Sequence, residues 1–109
     1  MPYHSGVAIP PNAEALMRSR YTAYVLANAE YLKATWHPKT LPQLFNLDDQ
    51  DHTQWLGLKI IRHETSDENH AIVEFVARYK INGKAHRLHE VSRFVREGAR
   101  WYYLDGEIE

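Results

Sequence analysis

The fold of this chain follows from one stretch, residues 71–84, which reads AIVEFVARYKINGK. Its apolar residues fall at every second position, and charged residues fill three of the five positions between them, which is the pattern of a β-strand with one buried face. The apolar set is Ala71, Val73, Phe75, Ala77, Tyr79 and Ile81. Asn82-Gly83 ends the strand and is typical of a two-residue type I′ turn, because that turn needs positive φ at both central residues. The stretch therefore predicts a long strand followed by a tight hairpin.

Further strands are predicted on both sides of this hairpin. Before it, the alternation predicts a strand over residues 56–64, whose apolar face begins at Leu56. After it, a third strand runs over residues 84–96, and Glu97-Gly98 turns the chain into a fourth strand over residues 100–105. The second half of the chain therefore predicts an antiparallel meander.

Two helices are predicted ahead of the strands. Asn12 is a favourable N-cap for a helix that begins at Ala13. Asn28 can cap a second helix over residues 29–37. Helices first and a meander afterwards predict an α+β fold, in which N-terminal helices pack on one face of a curved antiparallel β-sheet.

Length and composition limit the class of protein. The 109 residues allow one domain, which we place at residues 12–109, after an extended lead-in over residues 1–11. Thirteen Lys and Arg against fourteen Asp and Glu give a net charge of −1, without the basic field of general nucleic-acid or anionic-membrane binders. The absence of Cys excludes disulfides and thiolate metal sites in this chain. We expect a cytoplasmic protein without a membrane or nucleic-acid partner.

Counting outward from the two predicted turns places two carboxylates on the buried face. From Asn82-Gly83, Glu90 falls opposite Phe75, and from Glu97-Gly98 it falls opposite Asp105. The register therefore predicts that Glu90 and Asp105 are neighbours inside the fold.

An arginine of the first helix is expected to face these acids. Arg20 projects into the middle of the apolar arc, and a buried guanidinium without a carboxylate would be costly because it keeps its proton. Three interpretations follow. Arg20 forms a structural ion pair with Glu90 or Asp105, or it reaches out to water, or it binds an anionic or carbonyl group in a polar pocket where one carboxylate acts as acid or base.

The candidate site residues come from this geometry. The predicted ligand-binding residues are Arg20, Tyr24, Trp36, Glu90 and Tyr103. The catalytic candidates are Glu90, Asp105 and His37, with Tyr103 able to assist. No metal site is predicted, because His86 and His89 should point to opposite faces of their strand.

The outer face of the sheet is predicted to be partly apolar. The register places Tyr102 beside Arg93 and Val91 beside Leu104 on that face. Because a contiguous apolar patch is typical of an interaction surface, a homodimer through the outer sheet face is one expectation.

Four stretches of the chain are distinctive: AEALMRSRYTAY at 13–24, VEFVARY at 73–79, HRLHE at 86–90 and WYYLDG at 101–106. They resemble the uncharacterised bacterial YchJ-like family, and the similarity covers nearly the whole chain from Pro2. The resemblance implies an NTF2-like, or cystatin-like, cone that often encloses a pocket. Members usually also carry a Cys-rich SEC-C-type zinc motif before the equivalent of residues 2–6. Because this chain has no Cys, no zinc function carries over, and we expect the chain to begin just after such a motif.

Two main functions remain open at this point, beside a weaker third, adaptor work near the ribosome or secretion machinery, which depends on the missing zinc motif. The first is an NTF2-like domain of a YchJ-type protein that binds an unknown small molecule or protein partner. The second is a small-molecule enzyme with isomerase-type or dehydratase-type acid–base chemistry, using Arg20, Glu90 and Asp105 in the cone. No cofactor is expected in this chain. The sequence names neither the ligand, nor a reaction, nor an oligomeric state.

Overall fold

The fold is seen in a computed structural model, which describes residues 3–6, 8–42 and 53–108. Two helices precede four strands, which form one antiparallel sheet in the order β1-β2-β3-β4. The elements are α1 (Ala13–Val25), α2 (Ala29–Ala34), β1 (Thr53–Asp67), β2 (His70–Ile81), β3 (Lys84–Glu97) and β4 (Arg100–Ile108). The predicted α+β class and the order of elements are confirmed.

Both helices begin where the sequence predicts. The Asn12 side chain accepts a hydrogen bond from the Ala15 amide, and the Asn28 side chain accepts one from the Tyr31 amide. No helix in the described ranges is both long and apolar enough to cross a bilayer.

The second helix ends at Ala34, three residues before the predicted end at His37. The backbone leaves the helix to pair with β4. The Tyr103 amide donates to the Thr35 carbonyl, and the His37 amide donates to the Tyr103 carbonyl, both at 2.8 Å. These bonds satisfy backbone groups of β4 that would otherwise lie unpaired at the edge of the sheet.

The core lies between α1 and one face of the sheet, called here the inner face. Leu16 and Met17 of α1 pack with Phe75, Phe94 and Trp101 of the strands, and all five side chains are buried. A smaller cluster of Ala23, Tyr31 and Leu32 joins the two helices. Removal of this apolar surface from water stabilises the packing of helix on sheet.

The prediction that Leu56 starts the apolar face of β1 is wrong. The register shifts between Trp55 and Gly57, so Leu56 is the extra residue of a β-bulge and is 47% exposed. Trp55 takes the inner position instead and pairs with Tyr79. The bulge therefore puts a large aromatic ring, rather than Leu56, over the core.

The hairpin between β2 and β3 has the predicted register. Ile81 pairs with Lys84 and Phe75 pairs with Glu90. Both turn residues have positive φ, 51° at Asn82 and 80° at Gly83, as a type I′ turn requires.

The hairpin between β3 and β4 turns one residue later than predicted. Its turn residues are Gly98 and Ala99, with φ of 58° and 68°, so Glu97 pairs with Arg100. Phe94 therefore pairs with Tyr103 rather than with Trp101. Ala99 occupies a backbone region that disfavours residues with a Cβ.

The predicted pairing of Glu90 with Asp105 is wrong, because the later turn and a bulge at Leu104 together shift the register of β4. The register shifts between Phe94↔Tyr103 and Arg93↔Asp105, and Glu90 pairs with Ile108. Without the extra residue, the alternation of the strand would put the Asp105 carboxylate into the core. The bulge turns it to the outer face, which avoids the cost of burying a second charge.

We predict that Ala99→Gly raises the free energy of unfolding by about 1 kcal/mol, because it removes the steric cost of a Cβ at positive φ. Urea denaturation followed by circular dichroism measures the change. Ala85→Gly is the matched control, since Ala85 is exposed in β3 without positive φ, and there glycine should destabilise. A loss of stability in Ala99→Gly equal to that of the control would contradict the assigned turn.

Candidate ligand-binding cavity

A cavity of about 220 Å³ lies between α1 and the inner face of the sheet. Half of its lining residues are aromatic, and its charged lining side chains within the described residues are Arg20 and Glu90. All five predicted ligand-binding residues, Arg20, Tyr24, Trp36, Glu90 and Tyr103, line it. The structure thus brings these five together around one space, and their binding role stays a prediction.

Arg20 is 3% exposed and is held by the end of α2 and by two aromatic rings. Its Nη1 donates to the Leu32 carbonyl at 2.9 Å and to the Thr35 hydroxyl at 2.8 Å. These acceptors lie at the C-terminal end of α2, where helix carbonyls carry partial negative charge. Arg20 thereby ties α1 to α2.

Two rings flank the same guanidinium. Arg20 Cζ lies 4.6 Å from the centre of the Tyr103 ring and 5.2 Å from that of Trp36. The Trp36 and Tyr103 rings meet edge to face, with their centres 5.0 Å apart. Cation–π attraction of this kind strengthens when water is excluded.

The expectation that Arg20 needs Glu90 or Asp105 as an ion-pair partner is wrong. No ion pair within 4.0 Å joins Arg20 to an acid of the described ranges. The hydroxyl, the helix carbonyl and the aromatic rings take the place of a carboxylate. Burial lowers the pKa of the Arg20 guanidinium, while the nearby Tyr24, Tyr103 and Glu90 act in the opposite direction.

Glu90 lies on the inner face of β3 and faces the cavity. The Ser92 hydroxyl donates to Glu90 Oε2, and no cation of the described residues pairs with this acid. This half-buried carboxylate with one hydroxyl partner has unused acceptor capacity, since an ionised carboxyl group offers about four lone-pair sites. Glu90 is therefore the polar group of the cavity that is most open to a ligand.

Gly106 makes room for this carboxylate. It pairs with Ser92 on the inner face, and a Cβ at this position would lie 2.8 Å from Glu90 Cδ. Gly106 and Ser92 were not among the predicted site residues. A glycine within a strand is the signal that would have found Gly106, because it often marks a bulge or a close approach.

Burial raises the pKa of the Tyr103 phenol, and the nearby Glu90 carboxylate raises it further. Burial also raises the pKa of Tyr24, against the opposite effect of Arg20. Both phenols therefore remain protonated donors through the neutral range.

Two of the three catalytic candidates lie outside the cavity. Asp105 is on the outer face, where its carboxylate accepts from Arg93 Nε. His37 Nδ1 accepts from the Lys39 amide at 3.1 Å, and its Nε2 lies 2.7 Å from Glu97 Oε2. The structure therefore does not assemble Arg20, Glu90 and Asp105 into one site.

His86 and His89 point to opposite faces, as the strand alternation predicts. His86 stacks on Tyr79 at 5.2 Å, whereas His89 pairs with Glu74 at 2.7 Å. Across residues 3–6, 8–42 and 53–108, no group of three or more His, Asp and Glu side chains is placed to hold a metal ion.

The predicted apolar neighbours on the outer face are not formed. Tyr102 pairs with Val95 rather than lying beside Arg93, and Val91 pairs with Glu107. The later turn causes the first difference, and the turn and the bulge at Leu104 together cause the second. The homodimer through this face stays a prediction.

Comparisons with known proteins agree with this architecture. Residues 12–106 match the family described as YchJ, middle NTF2-like domain. A UPF0225 protein of Ralstonia nicotianae is 53% identical over 98% of this chain and 81% of its own length. One of Cupriavidus pinatubonensis is 54% identical over 97% of this chain and 77% of its own length.

Two solved structures are also similar. The solution structure of a SEC-C motif containing protein from Rhodopseudomonas palustris has a TM-score of 0.87 and 32% identity, covering 97% of this chain and 85% of that one. The crystal structure of a SEC-C motif containing protein from Psychrobacter arcticus has a TM-score of 0.83 and 33% identity, covering all of this chain and 70% of that one.

We predict that Gly106→Ala destabilises the protein by about 1–3 kcal/mol, because the new methyl group displaces the Glu90 side chain. In a Glu90→Ala background the same change should cost much less, and urea unfolding of the four proteins gives the coupling. Gly57→Ala is the control, since a Cβ there meets nothing within 4 Å. If the losses in the free energy of unfolding of the two single variants simply add in the double variant, Glu90 does not lie over Gly106.

We predict that stability falls as the pH rises from roughly 9 to 11, because the buried tyrosines have higher pKa values in the folded protein than in the unfolded chain. The unfolded state then loses protons first, which favours unfolding. Tyr103→Phe should reduce the decrease of the urea midpoint with rising pH. Tyr102→Phe on the outer face is the matched control. An unchanged slope in Tyr103→Phe would show that this phenol is not protected.

Proposed function

The chain belongs to the family of the YchJ middle NTF2-like domain, and we propose that it acts as a ligand-binding module whose site is the aromatic cavity. The ligand is a small organic molecule with one ring and a protonated amine. The observation that carries this proposal is the Glu90 carboxylate, which faces an aromatic space without a cation partner among the described residues.

The different contacts of Arg20 and Glu90 support a ligand that carries an amine rather than an anionic group. Arg20 already donates through Nη1 to Leu32 and Thr35 and stacks on aromatic rings, so its main role is structural. Glu90 receives only the Ser92 hydroxyl among the described side chains. A ligand ammonium group would give this acid a charge-assisted hydrogen bond.

The size and lining of the cavity support a one-ring ligand. Its volume of about 220 Å³ exceeds the roughly 150 Å³ of an apolar cavity that can hold benzene. Trp36, Trp55 and Tyr103 supply ring faces for stacking and for cation–π contact. The space is adequate for a ring and a short side chain.

The enzyme alternative gains no support from this geometry. It required Asp105 beside Glu90 in the cone, and Asp105 pairs with Arg93 on the other face. The coupled carboxylates that would share a proton are therefore not formed.

The SEC-C motif named for the two similar structures, together with the zinc motif that the family resemblance implies, leads to a separate proposal. The two similar structures are described as SEC-C motif containing proteins. Because this chain has no Cys, we propose that any zinc site that works with this domain draws its thiolate ligands from outside these 109 residues.

Benzylamine is a suitable probe, and the domain carries its own reporters. Two of its three tryptophans, Trp36 and Trp55, line the cavity. We predict that benzylamine changes the tryptophan fluorescence and raises the melting temperature, and that benzyl alcohol, which lacks the charge, binds at least about tenfold more weakly.

Glu90→Gln should weaken the binding of benzylamine by about tenfold or more and leave the binding of benzyl alcohol unchanged. Glu107→Gln is the matched control, because it removes an acid from the exposed end of β4. Equal binding of benzylamine to Glu90→Gln and to the unmodified protein would overturn the proposal, as would equal binding of the two probes.

A further inference from the structure

The outer face of the sheet has two electrically different halves. In one half the charges are paired. Arg62 contacts Glu64 at 2.6 Å and Glu74 at 3.1 Å, and Arg93 contacts Asp105 and, at 3.7 Å, Glu107. These pairs leave this half with more acids than arginines.

In the other half, three cations on three adjacent strands have no acidic partner among the residues that the structure describes. Lys59 of β1, Arg78 of β2 and Arg87 of β3 are exposed, and none takes part in an ion pair with a described residue. Arg78 and Arg87 are direct cross-strand partners. Like charges opposite each other destabilise a sheet, so this arrangement favours the arrival of an anion.

A hollow of about 270 Å³ lies among these cations. Its floor includes Val76, which is only 5% exposed although it belongs to the outer face, and Ile61 lies at its side. Gly57 pairs with Arg78, and a Cβ on Gly57 would meet nothing within 4 Å. The hollow therefore exists partly because position 57 has no side chain.

We propose that this hollow binds the phosphoryl group of a small organic phosphate. Paired guanidinium groups can each donate two parallel hydrogen bonds to phosphate oxygens, and Lys59 adds a third positive charge against a dianion. The apolar floor at Val76 and Ile61 provides contact for the organic part. The site lies on the opposite face of the sheet from the aromatic cavity and does not depend on the ligand proposed there.

Phenyl phosphate tests this site, because it joins a phosphoryl group to one ring. A titration followed by amide chemical shifts should move the Gly57 and Val76 signals. Arg78→Gln and Arg87→Gln should each weaken binding by about tenfold or more. Arg93→Gln is the matched control, since it removes an arginine of the same face that is already ion-paired, and it should change the affinity by less than about twofold.

Two further variants separate binding from folding. Gly57→Val places a side chain in the hollow without changing charge and should strongly weaken binding while the fold is retained. Arg78→Gln removes a like-charge pair, so its urea midpoint should stay the same or rise. Unaltered binding in Gly57→Val would overturn the assigned position.

Other occupants are told apart in the same experiment. Inorganic phosphate that binds as tightly as phenyl phosphate would overturn the role of the apolar floor. A single-stranded oligonucleotide that binds more tightly, with loss in Arg78→Gln, would replace the small ligand by a nucleic acid. Dimer formation that is abolished by Arg78→Gln would replace it by a second copy of the chain. Equal weakening by Arg93→Gln would reduce the site to a general charge effect.

Discussion

A buried guanidinium is the constraint to which much of the domain is adapted. Arg20 projects from α1 into the apolar interior and cannot discard its proton, so its surroundings must supply compensation. The Leu32 carbonyl and the Thr35 hydroxyl at the end of α2 do so, together with the Trp36 and Tyr103 rings. Because α2 ends early, the chain after Ala34 lies beside β4, where Trp36 forms an isolated bridge with Tyr103. One side chain thus links both helices to the edge of the sheet.

The second charge of the cavity is positioned by a different device. The bulge at Leu104 turns Asp105 to water and brings Gly106 to the inner face, where the missing side chain accommodates Glu90. Among the described residues, Glu90 is therefore the one carboxylate that lines the cavity. Glu90 does not form an ion pair with Arg20. Such a pair would leave the cavity without an accessible acid.

The two faces of the sheet divide the surface chemistry of the domain. The inner face presents aromatic rings and the Glu90 carboxylate around a partly open cavity, which suits an amine on a small ring. The outer face presents Arg78, Arg87 and Lys59 around a second partly open hollow, which suits a dianion. Because side chains alternate along a strand, neighbouring residues of β2 and β3 contribute to both surfaces without interfering with each other.

The sequence by itself determined the elements, both helix starts and the β2–β3 hairpin, since local signals such as Asn12, Asn28 and Asn82-Gly83 act within a few residues. It also placed Arg20 and Glu90 on the inner side, because strand and helix periods are regular. The single-residue bulges at Leu56 and Leu104 and the Gly98-Ala99 turn came only with the tertiary structure. Such bulges leave little trace in composition or period, because they arise where a strand must keep a charge out of the core or fit a ring against its partner.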